Sequence, residues 1–165
     1  MRCDDYSLQI YMNSYRLMEL YYACKAGDLD TVVERLEEGY DVNEVYNTGN
    51  DFFDDGITHL MAAAMKGHTS VVKTLVEWGA DLEAREMHGC TALMLAVYDN
   101  DQIDVAKELL KQGSDWYSVD DRGETVLDFL SEEDRQMMED FIIDLECEKE
   151  LGELDSESES DTDFY

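Results

Sequence analysis

The sequence has no proline and very few basic residues. Of its 165 residues, 12 are Lys or Arg and 41 are Asp or Glu, and the formal net charge is −29. The absence of proline excludes rigid Pro-rich linkers. The shortage of Lys and Arg argues against direct binding to nucleic acid or anionic lipid, because neutralising phosphates takes basic side chains. The partner favoured by such a surface is basic.

Cysteine pairs and long apolar runs are also missing. The four cysteines, Cys3, Cys24, Cys90 and Cys147, are scattered without a C-x-x-C pair, and no secretory signal pattern precedes them. No apolar run approaches the length that spans a bilayer. We therefore expect reduced thiols, a cytoplasmic location and no membrane association.

Catalytic and metal-binding patterns are absent from the sequence as well. The three histidines, His59, His68 and His88, have no partner at metal-ligand spacing such as H-E-x-x-H. There is no Gly-rich phosphate loop, and carboxylates are too abundant for any one pair to indicate acid–base catalysis. We expect no catalytic residue, no metal and no cofactor, so the protein is predicted not to be an enzyme.

What the sequence does contain is an internal repeat. The segment Thr-His-Leu-Met-Ala-Ala-Ala at 58–64 recurs 33 residues later as Thr-Ala-Leu-Met-Leu-Ala-Val at 91–97, and a further copy opens with Thr-Val-Leu-Asp at 125–128. A Gly-x-Asp triplet recurs in the same register at Gly39, Gly79 and Gly113. Each threonine is placed to cap a helix, and each of these glycines to end one in the left-handed conformation.

This period and content resemble the ankyrin repeat, a turn followed by two antiparallel helices and a loop. The family's usual T-P-L-H pattern lacks its proline in every copy, where His59, Ala92 and Val126 stand instead. The resemblance implies an all-α ankyrin-repeat solenoid of about four helix-turn-helix repeats, with β-turn fingers and an N-terminal capping helix.

The domain boundaries follow from the repeat register. An ankyrin-repeat domain is predicted over 1–145, with an N-terminal helix at about 5–25, a degenerate repeat to 43, an insertion at 44–55 and repeats at about 54–83, 87–116 and 121–145. Residues 146–165 are predicted to be an acidic disordered tail, because nine acids and one lysine leave almost no apolar surface to bury. The tail carries −8 of the total −29, so −21 belongs to the repeat domain.

The resemblance also places the partner-binding face. In an ankyrin stack the turn tips and first helices form a concave surface on which partners usually dock, and Met and aromatic anchors inside a charged rim suit an interface. The predicted partner-binding residues, which include the aromatic residues of the insertion, are Tyr46, Phe52, Phe53, Asp54, Asp55, Ile57, Met65, Met87, His88, Tyr98, Asp99, Asp121 and Glu124.

Three functions are compatible with these features. The leading hypothesis is a monomeric protein that inhibits or neutralises a basic protein, such as a nuclease, a toxin, a host-defence factor or a nucleic-acid-binding factor. Small acidic ankyrin proteins of this kind occur as immunity proteins, as phage or viral counter-defence factors and as transcription-factor inhibitors. One alternative is a DNA mimic, whose carboxylates imitate phosphates in a DNA-binding channel. The other is a regulatory scaffold or adaptor that joins two proteins.

The charge of the repeat domain predicts a salt-dependent stability. Mutual repulsion of −21 net charges destabilises the folded state and is screened by added salt. The melting temperature should therefore rise between low and moderate sodium chloride, measured by circular dichroism. A midpoint that does not change with salt would contradict this prediction.

Overall fold

Short helices separated by tight turns follow one another along the chain. The structure, a computed structural model, describes residues 18–46, 56–98 and 102–156. Its helices are residues 18–26 (α1), Leu29–Glu37 (α2), His59–Met65 (α3), Thr69–Glu77 (α4), Ala92–Tyr98 (α5), Ile103–Lys111 (α6), a 3-10 helix at Val126–Phe129, and Glu132–Ser156 (α7). Two strands, Val45–Tyr46 (β1) and Ile57–Thr58 (β2), pair antiparallel. The chain divides into two compact units, Met1–Leu130 and Ser131–Tyr165.

In the first unit the helices stack in successive pairs. Helix α3 packs on α4 and α5 packs on α6, while α3 also packs on α5 and α4 on α6. Small side chains allow the first helices to approach closely, since Ala63, Ala64 and Ala96 are completely buried. Leu60 and Leu93 are buried in equivalent places, and each contributes roughly 1.5–3 kcal/mol on removal from water. The predicted all-α solenoid of stacked helix pairs is confirmed.

Repeated polar turns link one helix pair to the next. Each Gly-x-Asp triplet forms the same turn, in which Asp41, Asp81 or Asp115 accepts from the backbone N–H two residues further on, at 2.9 Å. The side chains of Asn43 and Glu83 then reach the following repeat and accept from the backbone N–H of Asp81 (2.8 Å) and Asp115 (2.9 Å). These hydrogen bonds set the register between repeats where the second helices end.

A glycine makes room for a histidine at the turn between α1 and α2. His68 lies one repeat away, and its Nε2 is 3.2 Å from the backbone oxygen of Lys25. Gly27 has φ +76°, and a Cβ built on it would come within 2.5 Å of the His68 ring. Any other residue at Gly27 would therefore push the ring away from its backbone partner.

His59 stands where the family that this sequence resembles usually has a proline. It is the first residue of α3, it is buried, and its Nδ1 lies 3.2 Å from the backbone oxygen of Val42 in the preceding repeat. Burial lowers the pKa of His59, which keeps the ring neutral at pH 7. A hydrogen bond between repeats thus accompanies the loss of the rigid proline ring.

The predicted threonine caps are realised unequally. Thr58 caps α3 as predicted, because its hydroxyl accepts from the N–H of Met61 at 3.2 Å while its own N–H contacts the Met61 sulfur at 3.4 Å. The same prediction is wrong for Thr91, whose hydroxyl is buried without a hydrogen-bond partner, so only its backbone carbonyl joins the helix, accepting from Leu95 N–H. Thr125 donates both its N–H and its hydroxyl to the carboxylate of Asp128, at 2.8 Å each.

The fourth copy begins with a single 3-10 turn rather than an α-helix. Only Val126–Phe129 are helical there, and Ser131 already caps α7 by accepting from the N–H of Asp134 at 3.2 Å. Two caps this close together leave no room for two α-helical turns. The second unit contains α7, a helix that runs from Glu132 to Ser156.

Several of the predicted segments lie partly outside the described residues. α1 is described only over 18–26, so residues 5–17 of the predicted N-terminal helix lie outside the described part. The insertion at 44–55 begins with β1, and residues 47–55 also lie outside it. Residues 146–156, predicted as the start of the disordered tail, are helical as part of α7, in a stretch rich in Glu and Leu and without proline. Residues 157–165 of that tail are not described.

The contrast between Thr58 and Thr91 predicts different effects of the same substitution on stability. Thr58→Val removes a helix cap and should lower the free energy of unfolding by about 1 kcal/mol. Thr91→Val replaces an unpaired buried hydroxyl with a methyl group and should be neutral or stabilising. Urea unfolding of the two variants measures both effects, and an equal loss of stability would show that the Thr91 hydroxyl is also hydrogen-bonded.

Candidate functional site

Two successive turns are built around a buried carboxylate. In the first, Glu86 Oε1 accepts from the N–H of Cys90 at 3.1 Å, and the two residues also share a backbone hydrogen bond. In the second, Asp120 Oδ1 accepts from the N–H groups of Arg122 (2.8 Å) and Glu124 (2.9 Å). Both acids stand three residues before a turn glycine and are less than a tenth exposed. The hydrogen bonds that shape the turns therefore also hold two negative charges in place.

The two turns stack directly on each other. The N–H of Asp121 donates to the backbone oxygen of His88 at 3.0 Å. Gly89 has φ +81°, and a Cβ on it would lie 2.8 Å from the Asp121 carboxylate and 3.0 Å from its backbone nitrogen. This close approach requires glycine, and it fixes the spacing of the turns along the solenoid.

A cleft of about 190 Å³ lies between these turns and the first helices. Three consecutive repeats supply its walls: β2 and α3, then the 86–90 turn with α5, then the 120–122 turn. The residues that line the cleft are Ile57, Met65, Glu86, His88, Cys90, Leu95, Tyr98, Asp120 and Arg122.

One wall of the cleft is apolar and rests on a fixed aromatic ring. Tyr98, at the end of α5, is 50% exposed, and its ring meets that of Phe129 edge-on at 5.3 Å between centroids. Ile57 is completely buried and Met65 is half-buried. A partly exposed aromatic ring that is already held by a neighbour loses little conformational freedom when a partner covers it.

The polar wall is acidic. The backbone hydrogen bonds to Asp120, above all that from Glu124, lower the pKa of its carboxyl, so it stays ionised at neutral pH. Glu86 Oε2 lies 2.9 Å from Nδ1 of His88, and the largely exposed Arg122 is 3.6 Å from Glu124. Apart from His88, the two carboxylates and the one guanidinium of the lining sum to a formal net charge of −1.

The thiol in the cleft lining is poorly suited to reaction. Burial, followed by the nearby charge of Glu86, raises the pKa of the Cys90 thiol to about 12, so it is not a nucleophile at neutral pH. Among the described residues, no group of three or more His, Cys, Asp or Glu side chains is placed to hold a metal ion. In the same part of the chain, no helix is long and apolar enough to cross a membrane. What remains is a small cleft with one apolar and one acidic wall.

The structure brings some of the predicted binding residues together and separates others. Ile57, Met65, His88 and Tyr98 line the cleft. The others described lie outside its lining: Met87, Asp121 and Glu124 are on the turns beside it, and Tyr46 stacks on the buried ring of Tyr21 at 4.0 Å. Phe52, Phe53, Asp54, Asp55 and Asp99 lie outside the described residues.

Five lining residues are missing from the predicted set, namely Glu86, Cys90, Leu95, Asp120 and Arg122. Glu86 and Asp120 are hard to recognise because one residue in four of this chain is acidic, with 41 acids among 165 residues. The signal that marks them is an acid three residues before the turn glycine, which recurs as Glu86-x-x-Gly89 and Asp120-x-x-Gly123. Leu95 carries no such mark, since a leucine on a helix is ordinarily a core residue.

The stacked helix pairs, linked by projecting turns, define a helical repeat protein. Residues 20–120 match the family model for ankyrin repeats, in three copies. The chain belongs to the ankyrin-repeat family, as its sequence predicted. Ankyrin repeats generally mediate protein–protein interaction.

Individual relatives match this chain over part of their length. The chain is 41% identical over 101 residues to mouse Ankyrin repeat and SAM domain-containing protein 6, which covers 61% of this chain and 11% of that protein. It is 31% identical over 86 residues to human Protein phosphatase 1 regulatory subunit 27, covering 52% and 55% respectively. It is 34% identical over 110 residues to the E3 ubiquitin-protein ligase KEG of Arabidopsis thaliana, covering 66% and 6%. The chain thus spans only part of each relative.

The buried thiols predict selective labelling by iodoacetamide. Burial raises the pKa of both Cys24 and Cys90 to about 12, whereas Cys147 is exposed. At pH 8 the native protein should be alkylated at Cys147 at least about a hundredfold faster than at Cys24 or Cys90, because the two buried thiols are rarely ionised and hard for the reagent to reach. Peptide mass spectrometry after timed quenching measures each site. Unfolding in urea should equalise the rates, and fast native labelling of Cys90 would show that it is reactive after all.

Proposed function

We propose that this protein is a non-enzymatic binding module that inhibits or neutralises a basic protein partner. The partner docks on the concave face formed by the turns and first helices, with the cleft at its centre. A nuclease, a toxin, a host-defence factor or another nucleic-acid-binding protein has a basic surface of the required kind. The protein acts as a monomer when free, in the cytoplasm of the cell that contains it.

The observation that carries this proposal is the pairing of apolar and acidic walls in one cleft. Tyr98 and Met65 offer apolar contact area, while Glu86 and Asp120 offer carboxylates held by backbone N–H groups. Interfaces derive most of their affinity from a few aromatic or apolar anchors, and their charges contribute specificity and rate of association. The net charge of −29 adds long-range attraction to a basic partner.

The same observation weighs against the DNA mimic. A mimic needs carboxylates spread over a long surface and few apolar anchors, and it should inhibit unrelated DNA-binding proteins. The apolar wall of the cleft is of use to a specific partner but not to a phosphate imitation. We keep the mimic as the alternative that the binding experiments must exclude.

The most direct experiment identifies the partner. The full chain, immobilised and incubated with extract of its native host, should retain a basic protein at moderate salt, identified by mass spectrometry. A fraction of that capture should persist at raised salt, because apolar contacts are not screened. An uncharged or acidic partner as the chief protein retained would refute the proposal.

Substitution of Tyr98 tests how much of the binding free energy comes from the apolar residues of the cleft. Tyr98→Ala removes the exposed ring from the cleft and should weaken binding of the captured partner by about 2 kcal/mol or more. Tyr117→Ala is the matched control, since Tyr117 is 66% exposed but is not part of the cleft lining. Titration calorimetry compares the two variants. If Tyr98→Ala and alanine at Phe52 or Phe53 have no effect while charge reversals abolish binding, the DNA mimic is the better explanation.

A regulatory adaptor is the second candidate, and one comparison favours it. The chain resembles a human protein whose name describes a regulatory subunit of protein phosphatase 1, over about half of each chain. An adaptor requires two partners bound at once on different faces. Sedimentation of a ternary complex from two captured proteins would support it, whereas mutually exclusive binding would support the inhibitor.

A further inference from the structure

We infer that the cleft receives one long basic side chain, lysine or arginine, from the partner protein. This inference rests on the proposed function and adds the chemistry of recognition. It follows from the volume of the cleft, from the apolar and polar residues that line it and from the hydrogen bonds of its two carboxylates.

The size of the cleft restricts what can enter it. A volume of about 190 Å³ is below the roughly 300–1,000 Å³ of pockets that enclose a drug-sized ligand or a cofactor. It is several times the roughly 30 Å³ that one water occupies. A single extended side chain of a docked protein matches this volume better than a free small molecule does.

The walls select a side chain with an apolar stem and a cationic end. Met65, Leu95 and Tyr98 provide apolar contact for methylene groups, which Lys and Arg bury readily. Glu86 and Asp120 are only 8% and 7% exposed, and both lie near enough to Cys90 to raise the pKa of its thiol by their charges. Two carboxylates near one thiol offer a cationic head both opposite charge and hydrogen-bond acceptors.

The hydrogen bonds already made by these carboxylates hold their oxygens in fixed positions. Glu86 receives the N–H of Cys90, and Asp120 receives the N–H groups of Arg122 and Glu124. An apolar side chain would offer these carboxylates neither a compensating charge nor a hydrogen bond, whereas a cationic head supplies both. An acidic side chain would be repelled. The polar wall thus selects a side chain with a positive charge, and the apolar wall selects one with a long aliphatic stem.

Arg122 provides a test of whether the occupant of the cleft is positively or negatively charged, because Arg122 is the cationic residue of the lining. Its guanidinium is largely exposed and lies 3.6 Å from Glu124, beside the turn that holds Asp120. If the occupant is a cation, Arg122 opposes it and its removal should strengthen binding. If the occupant is an anion, Arg122 is its partner and its removal should weaken binding.

The experiment uses small probes on the full chain and needs no knowledge of the partner. n-Butylguanidinium, 1-pentanol and pentanoate share an aliphatic stem and differ in the charge of the head. Each is titrated into 15N-labelled protein while the amide signals of Cys90, Arg122 and Glu124 are followed. We expect saturable shifts with n-butylguanidinium, in the millimolar range typical of such small ligands, and at least about fivefold weaker binding of the other two.

Variants of the lining complete the test. Glu86→Gln and Asp120→Asn keep the oxygens that accept the backbone N–H groups, and each should weaken n-butylguanidinium binding about three- to tenfold. Arg122→Gln should strengthen it about twofold or more. Asp115→Asn is the matched control, since Asp115 accepts a backbone N–H in a similar turn but does not line the cleft. If Asp120→Asn does not fold, Glu86→Gln and Arg122→Gln still decide the outcome.

The results separate this inference from the proposed function. Equal binding of 1-pentanol, tighter binding of pentanoate, or an equal loss with Asp115→Asn would overturn the basic side chain as occupant. A partner that is captured as proposed, but whose binding does not change with Glu86→Gln or Arg122→Gln, would overturn it as well. Probe binding in this pattern, with no basic protein captured, would support the inference about the cleft and refute the inhibitor proposal.

Discussion

Burial of apolar surface between neighbouring repeats is the interaction on which the rest of this structure depends. A helix pair of seven and nine residues, such as α3 and α4, cannot bury both of its apolar faces alone. The pairs therefore stack, and the completely buried alanines of α3 and α5 let the first helices lie close together. Close first helices bring the turns that precede them into contact as well. The cleft exists because three repeats are packed at this spacing.

The turns use one set of hydrogen bonds for two purposes. Glu86 and Asp120 accept backbone N–H groups that would otherwise be unpaired in a tight turn, and this stabilises the turn. For Asp120 these bonds also lower the pKa of the carboxyl, so its negative charge stays on a rigid, nearly buried oxygen. A surface built in this way has preorganised charges, which lose less entropy on binding than flexible side chains at the surface. Two of the many acidic residues of this chain are thereby held in fixed positions at one site.

The departures from the usual repeat show how neighbouring repeats compensate for local changes. His59 replaces a turn proline and hydrogen-bonds to Val42 of the preceding repeat, and Met61 contacts the N–H of the capping threonine with its sulfur. In the fourth copy the first helix is a 3-10 turn, in which Asp128 accepts from the N–H of Thr125, and Ser131 caps the next helix by accepting from the N–H of Asp134. Much of the fold was predictable, because Thr58, the helix-ending glycines and the small residues act through local geometry. The cleft was predictable only in part, since acids are too common in this chain to single out Glu86 or Asp120.

By itself, the sequence determined the repeat period, the helical class, the left-handed turns at Gly39, Gly79 and Gly113, and the strongly acidic balance. These properties depend on a few neighbouring residues or on composition alone. Only the tertiary structure decided that the Thr91 hydroxyl faces the interior unpaired while that of Thr58 caps its helix. Only the tertiary structure joined Ile57, Tyr98 and Asp120 into one cleft. The reason is that packing between repeats, not spacing along the chain, sets the distance between side chains this far apart in sequence.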